Sequence, residues 1–176
     1  MAEHSRYNVT NKKAGVDNGI LKNKLGITSQ KELEDAESIL LSDTYEFFTL
    51  KENLSAIKFD VAFLFSLHKY FLGTLYDFAG KAREVDMSKG SMMFASVLHL
   101  KASLKDFDKL LKKNIPKNKD QKNIIANKIA LIHNEYNALH PFREGNGRTI
   151  RLFIDLLLLR IVYKMIDWNS TKEDNY

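Results

Sequence analysis

His140-Pro-Phe-Arg-Glu-Gly-Asn-Gly-Arg-Thr-Ile-Arg151 breaks an otherwise helical carboxyl-terminal half of the chain. Before it, Asp120–Leu139 carries Ile125, Ile129, Ile132, Tyr136 and Leu139 at alternating steps of four and three, the spacing of one helix face. After it, Thr149–Met165 is apolar nearly all round, which predicts a buried central helix. Arg151, Asp155, Arg160 and Lys164 interrupt that run, so it is too charged and too short for a bilayer, which takes roughly 20 apolar residues. Two long helices joined by a glycine loop predict an all-α fold built around the second of them.

The composition agrees. Apolar residues are 44% of 176, with only 2 prolines and 8 glycines, which suits one helical domain with one core. Cysteine is absent, so disulfides and thiolate metal sites are excluded and a cytoplasmic location is expected. The amino terminus has no apolar stretch of the secretory kind. Net charge is +5, concentrated in Lys112, Lys113, Lys117, Lys119 and Lys122 around Pro116. No aromatic residue is interleaved there for base stacking, so this cluster reads as a solvated interhelical turn and argues against nucleic acid.

Working back toward the amino terminus, Ala95–Leu111 reads as a further helix. Arg83–Met87 alternates Val85 and Met87 with Glu84 and Asp86, the period of a strand. The link Ser88-Lys89-Gly90 then leads to Ser91–Phe94, which predicts a short β-hairpin whose outer edge is free to pair with another chain. Gly73–Gly80 reads as a turn and Asp60–Leu72 as a helix. Ser29 is placed to cap a helix over Gln30–Leu41, with Glu32 as its capping-box partner. Residues 1–20 read as a polar arm, and residues 21–176 as the domain.

The loop is where chemistry concentrates. Gly145, Asn146 and Gly147 accept backbone angles that other residues resist, and successive N–H groups in such a loop form an anion-binding nest. The loop opens a helix, whose N-terminal dipole adds positive potential. Arg148 and Arg151 lie one turn apart and can clamp consecutive phosphates. Glu144 is placed to hold a Mg²⁺ that bridges phosphate oxygens. His140 is the loop residue able to take a proton near neutral pH. Phe142 is the expected structural anchor of the loop in the core. Each residue alone also reads as ordinary structure, and only their joint occurrence within twelve residues points to phosphate chemistry.

This stretch resembles the signature of the Fic family, His-x-Phe-x-(Asp/Glu)-Gly-Asn-Gly-Arg-x-x-Arg, at every defined position. Asn23–Ile27, His68–Gly73, Leu75–Gly80, Arg83–Phe94 and Asn137–Phe142 also look like family segments, so the likeness covers about residues 20–168. The resemblance implies a helical bundle with a β-hairpin flap over the site. It implies transfer of AMP from ATP to a Ser, Thr or Tyr hydroxyl of a target protein. His140 would be the general base and Glu144 the Mg²⁺ ligand. Gly145, Asn146 and Gly147 would form the anion hole, and Arg148 and Arg151 would bind phosphates, Arg151 at the γ position. The flap, Val85, Asp86, Met87, Ser88, Lys89, Gly90, Ser91 and Met92, would dock the target by strand addition. Phosphorylating relatives carry Lys where Gly147 stands, so Gly147 favours adenylylation.

Many family members are restrained by a helix bearing (Ser/Thr)-x-x-x-Glu-(Gly/Asn). Thr28/Glu32, Ser42/Glu46 and Ser170/Asp174 each depart from it. The resemblance therefore implies a toxin restrained by a small antitoxin supplied in trans. Family members continue for further helices beyond the segment matching Asp167-Trp168, which implies a less enclosed base pocket here. The free flap edge also permits a homodimer. Two alternatives stand beside this reading: a phosphate-binding module with weak catalysis, and a basic helical protein that binds nucleic acid.

Overall fold

A computed structural model describes residues 8–9, 15–17 and 19–170 of the chain. Among these are six α-helices: α1 (Gln30–Thr49), α2 (Lys51–Ala56), α3 (Val61–Leu72), α4 (Val97–Asn114), α5 (Lys122–Leu139) and α6 (Asn146–Arg160). Five short strands accompany them: β1 (Asn8–Val9), β2 (Val16–Asp17), β3 (Ile20–Leu21), β4 (Met87–Lys89) and β5 (Met92–Met93).

The all-α expectation with a small hairpin holds, and α6 is the buried centre. Ile150, Leu152, Phe153, Ile154 and Leu156 are fully shielded on it, packed by α1, α3 and α5. That follows from a helix with apolar residues on every side, which must be enclosed. The helix stops at Arg160, five residues before the expected Met165. Val162 takes a left-handed conformation (φ 67°) there, and Tyr163 N–H donates to the Leu158 carbonyl at 2.9 Å, a Schellman stop.

Helix α1 runs eight residues past the expected Leu41. Its polar Ser42-Asp43-Thr44 does not break it, because Thr44 Oγ1 donates to the Leu40 carbonyl at 2.6 Å. Beyond it Phe48 packs edge-on against Phe63, and Phe47 stacks on Tyr70. Tertiary aromatic contact thus extends a helix that propensity alone ends early. Ser29 caps α1 as expected, accepting from Glu32 N–H at 3.4 Å.

The flap is shifted in register from the sequence reading. The strands are Met87–Lys89 and Met92–Met93, turning at Gly90-Ser91 with Gly90 at φ 57°. Residues 83–86 form a stem instead of a strand. Asp86 Oδ1 caps α4 by accepting from Val97 N–H at 2.7 Å, and Arg83 draws in the Val85 carbonyl at 2.8 Å. The β4 edge of the hairpin is occupied. Strand β1 pairs antiparallel with β4, giving a three-stranded sheet in the order β1-β4-β5. Within the amino-terminal arm, Asn8–Val9 thus pairs with the flap, and Val16–Asp17 pairs with Ile20–Leu21 in a second small hairpin.

Candidate active site

Helix α5 ends on His140, which adopts φ 48° and ψ 62° and turns the chain out of the helix. Its imidazole is buried and stacks face to face on Phe94 at the flap base, centroids 3.7 Å apart. Burial, helped by the Arg83 guanidinium, lowers its pKa to about 3, against the pull of a hydrogen bond with the Asn137 backbone. His140 is therefore neutral at physiological pH and in the form that accepts a proton.

Phe142 follows, fully buried, stacked on His68 at 3.8 Å and edge-on to Phe65. Asn146 closes the loop over it. Its Oδ1 accepts from Phe142 N–H at 2.8 Å and its Nδ2 donates to the Phe142 carbonyl at 2.7 Å. The Asn146 side chain is thus a loop staple, and only its backbone N–H is left for an anion.

Gly145 (φ 78°) then opens α6. The first helical bond of α6 runs from Thr149 N–H to the Gly145 carbonyl. The N–H groups of Asn146, Gly147 and Arg148 consequently have no acceptor within the helix. Gly145 N–H is already engaged, donating to Glu144 Oε1 at 2.9 Å. The N–H groups left without a helical acceptor are therefore those of Asn146, Gly147 and Arg148.

Glu144 is buried, and its Oε1 also meets Arg148 at 3.4 Å. Both contacts fall on Oε1, and Oε2 has no hydrogen-bond partner among the described residues. No group of three His, Asp or Glu residues able to hold a metal is present among the described residues. One carboxylate oxygen fits a Mg²⁺ that takes its other ligands from phosphates and water.

The two arginines are held differently. Arg148 lies 5.2 Å over the Phe71 ring and pairs with Glu37 of α1 at 2.5 Å. Burial pulls its pKa down, but Glu37 and Glu144 outweigh that and the net direction is up. Tyr76 donates to the other Glu37 oxygen. Arg151, half-buried on the next turn, makes no ion pair among the described residues.

Three residues that organise this site escaped the sequence reading as site residues. Glu37 looks like any acidic residue on an amphipathic helix. His68 sits on the apolar face of α3 as an ordinary core histidine would. Its Nδ1 accepts from Gly80 N–H at 2.8 Å, so its Nε2 carries the proton and donates to the Glu144 carbonyl at 2.9 Å. Burial lowers its pKa to about 4. Arg83 is buried and donates to the carbonyls of His140, Val85, Ala95 and Leu139, tying both stems of the flap to the end of α5. The flap residues divide accordingly. Val85 and Asp86 serve the stem, Met87 is buried, and Ser88, Lys89, Gly90, Ser91 and Met92 form the projecting hairpin.

The fold is a helical bundle with a short strand hairpin, whose base is tied to His140 through Phe94 and Arg83. The Fic/DOC family profile matches residues 58–158, and the chain belongs to that family. It is 34% identical over 156 residues to the protein adenylyltransferase VbhT of Bartonella schoenbuchensis, covering 89% of this chain and 32% of that protein. It is 30% identical over 154 residues to a protein adenylyltransferase of Bartonella henselae, covering 78% of this chain and 28% of that one. The chain thus spans about a third of the length of these two relatives. Among solved structures it is similar to the ADP-bound Fic domain of a VirB-translocated effector from Bartonella quintana. That match has 26% identity and a TM-score of 0.71, covering 88% of this chain and 78% of that chain. No helix among the described residues is long and apolar enough to cross a membrane.

Proposed function

We propose that this chain is a protein adenylyltransferase that moves AMP from ATP to a Ser, Thr or Tyr hydroxyl of another protein. The observation that carries the reading is the opening of α6. Three unbonded N–H groups there share one loop with a neutral histidine, a buried carboxylate and two arginines. The N–H groups of Asn146 and Gly147 hold the α-phosphate oxygens and neutralise their growing charge. Arg148 and Arg151 hold the β- and γ-phosphates. Glu144 would hold Mg²⁺, which when bound would supply positive charge to offset that of the departing pyrophosphate.

His140 takes the proton of the target hydroxyl. The hydroxyl oxygen forms a bond to the α-phosphorus, the bond to the β-phosphate oxygen breaks, and pyrophosphate leaves. Its pKa of about 3 belongs to the site without phosphates. The negative charge of a triphosphate favours the imidazolium and raises that pKa toward what a general base needs.

The names of the two relatives support the activity, and the ADP bound to the Bartonella quintana domain supports the nucleotide. A toxin role with restraint by a separate antitoxin belongs to the same proposal. The open edge of β5 is the place for a homodimer contact. The test compares the protein with its His140→Ala variant, using ATP, Mg²⁺ and a bacterial lysate. Loss of protein-bound AMP with ATP affinity retained supports the reading. Equal transfer by both removes His140 as base, and ATP binding without transfer by either assigns a phosphate-binding module instead.

A further inference from the structure

Strand β1 lies on the β4 edge of the hairpin on which the family resemblance implies that a target docks by strand addition. Its bonding pattern follows from the register. Ser88 stands opposite Met93, so Met87 stands opposite Phe94. Phe94 N–H donates to the Met87 carbonyl at 3.1 Å, so Met87 spends its bonding groups on the β5 side. Neighbouring residues on a strand point their N–H and C=O to opposite sides. Ser88 therefore directs both groups away from β5, toward Asn8, its partner in the β1-β4 register.

We infer that Asn8–Val9 is a resident occupant of the target-docking edge, which a target strand displaces before transfer. The inference rests on the proposed function only in naming the target as the competitor. Strand addition depends on main-chain groups, which any extended segment supplies, so occupant and target compete for the Ser88 N–H and C=O. A ladder this short holds weakly. Two backbone hydrogen bonds, at about 0.5–1.5 kcal/mol each, correspond to a factor of roughly 5–150 in occupancy, enough to tune docking while leaving it reversible. Strand β5 pairs with no further strand among the described residues, with Met93 71% exposed, but its bonding groups are not those of Ser88.

The register supplies the test. Asn8→Pro removes the N–H that faces Ser88, whereas Val9→Pro removes one that points away, which an edge strand tolerates. Hydrogen exchange of the Ser88 amide and binding of a labelled peptide of residues 1–14 read occupancy without any activity. Asn8→Pro is expected to speed Ser88 exchange and to bind the peptide. The natural chain and Val9→Pro are expected to do neither. With a target in hand, Asn8→Pro, which removes one of the two bonds, should lower its KM by roughly 2–10-fold at unchanged kcat. Equal exchange and equal peptide binding in all three proteins overturn the inference, as does a KM unmoved by Asn8→Pro. Peptide binding by Asn8→Pro alone, with transfer absent throughout, keeps the occupant and instead overturns the proposed function.

Discussion

The two outer glycines of the loop separate folding from binding, and alanine at each tells them apart. Gly145 sits at φ 78°, and a Cβ there would lie 2.6 Å from Leu72 Cδ1, on a residue with no exposed surface. The left-handed conformation costs a non-glycine residue about 1–2 kcal/mol. Forcing a methyl into a filled core adds about 1–3 kcal/mol. Gly145→Ala should therefore lose about 2–5 kcal/mol, a fall in Tm of roughly 5–15 °C for a domain of this size. The same Cβ would stand 3.4 Å from His68 Nε2, the atom that holds the Glu144 carbonyl. Gly147 is the opposite case. Its φ is not positive and nothing lies within 4 Å of a Cβ built on it. Gly147→Ala should keep or slightly raise stability, since alanine is the better helix former. Its methyl would instead crowd the N–H groups that face the phosphate. Losing one charge-assisted hydrogen bond weakens ATP binding by roughly 10–100-fold. Urea unfolding and titration calorimetry with ATP measure both effects. A Gly147→Ala protein that binds ATP like the parent would refute the nest as the phosphate site. A Gly145→Ala protein of full stability would refute the account of the loop.

Two further outcomes follow from single residues. Val162→Gly should raise Tm by roughly 2–4 °C, since glycine relieves about 1 kcal/mol of left-handed strain at a side chain 87% exposed; no rise would remove the strain. His68 and His140 are lowered to about 4 and about 3, so the unfolded chain binds two more protons once pH falls below the ordinary 6.5. Their contribution is complete above pH 6.5 and is lost as pH falls through 4 toward 3, at roughly 2–3 kcal/mol per pH unit in between. Urea midpoints that stay flat from pH 7 to 4.5 would contradict that burial.

The loop was legible because its chemistry is local. His140, Glu144, Arg148 and Arg151 are neighbours in sequence, and the helices around them carry unbroken apolar periods. Contacts that depend on distant partners were not. Glu37 reaches Arg148 across 111 positions, and His68 reaches Glu144 across 76. Neither side chain differs in type or spacing from an ordinary helix residue. The hairpin register slipped because Val85 and Asp86 alternate like a strand while their polar groups serve Arg83 and α4. Strand β1 has only two residues, and its partner lies almost eighty positions away. Helix α6 ends at a valine in a conformation that glycine normally signals.

The most direct test of AMP transfer uses ATP labelled in turn at the α- and the γ-phosphate, with Mg²⁺ and a bacterial lysate. The predicted result is label on a protein band from the α position alone, with the γ label recovered in free pyrophosphate. Protein-bound label from the γ position would mean phosphate transfer instead, and would contradict the roles of Gly147 and His140 in AMP transfer.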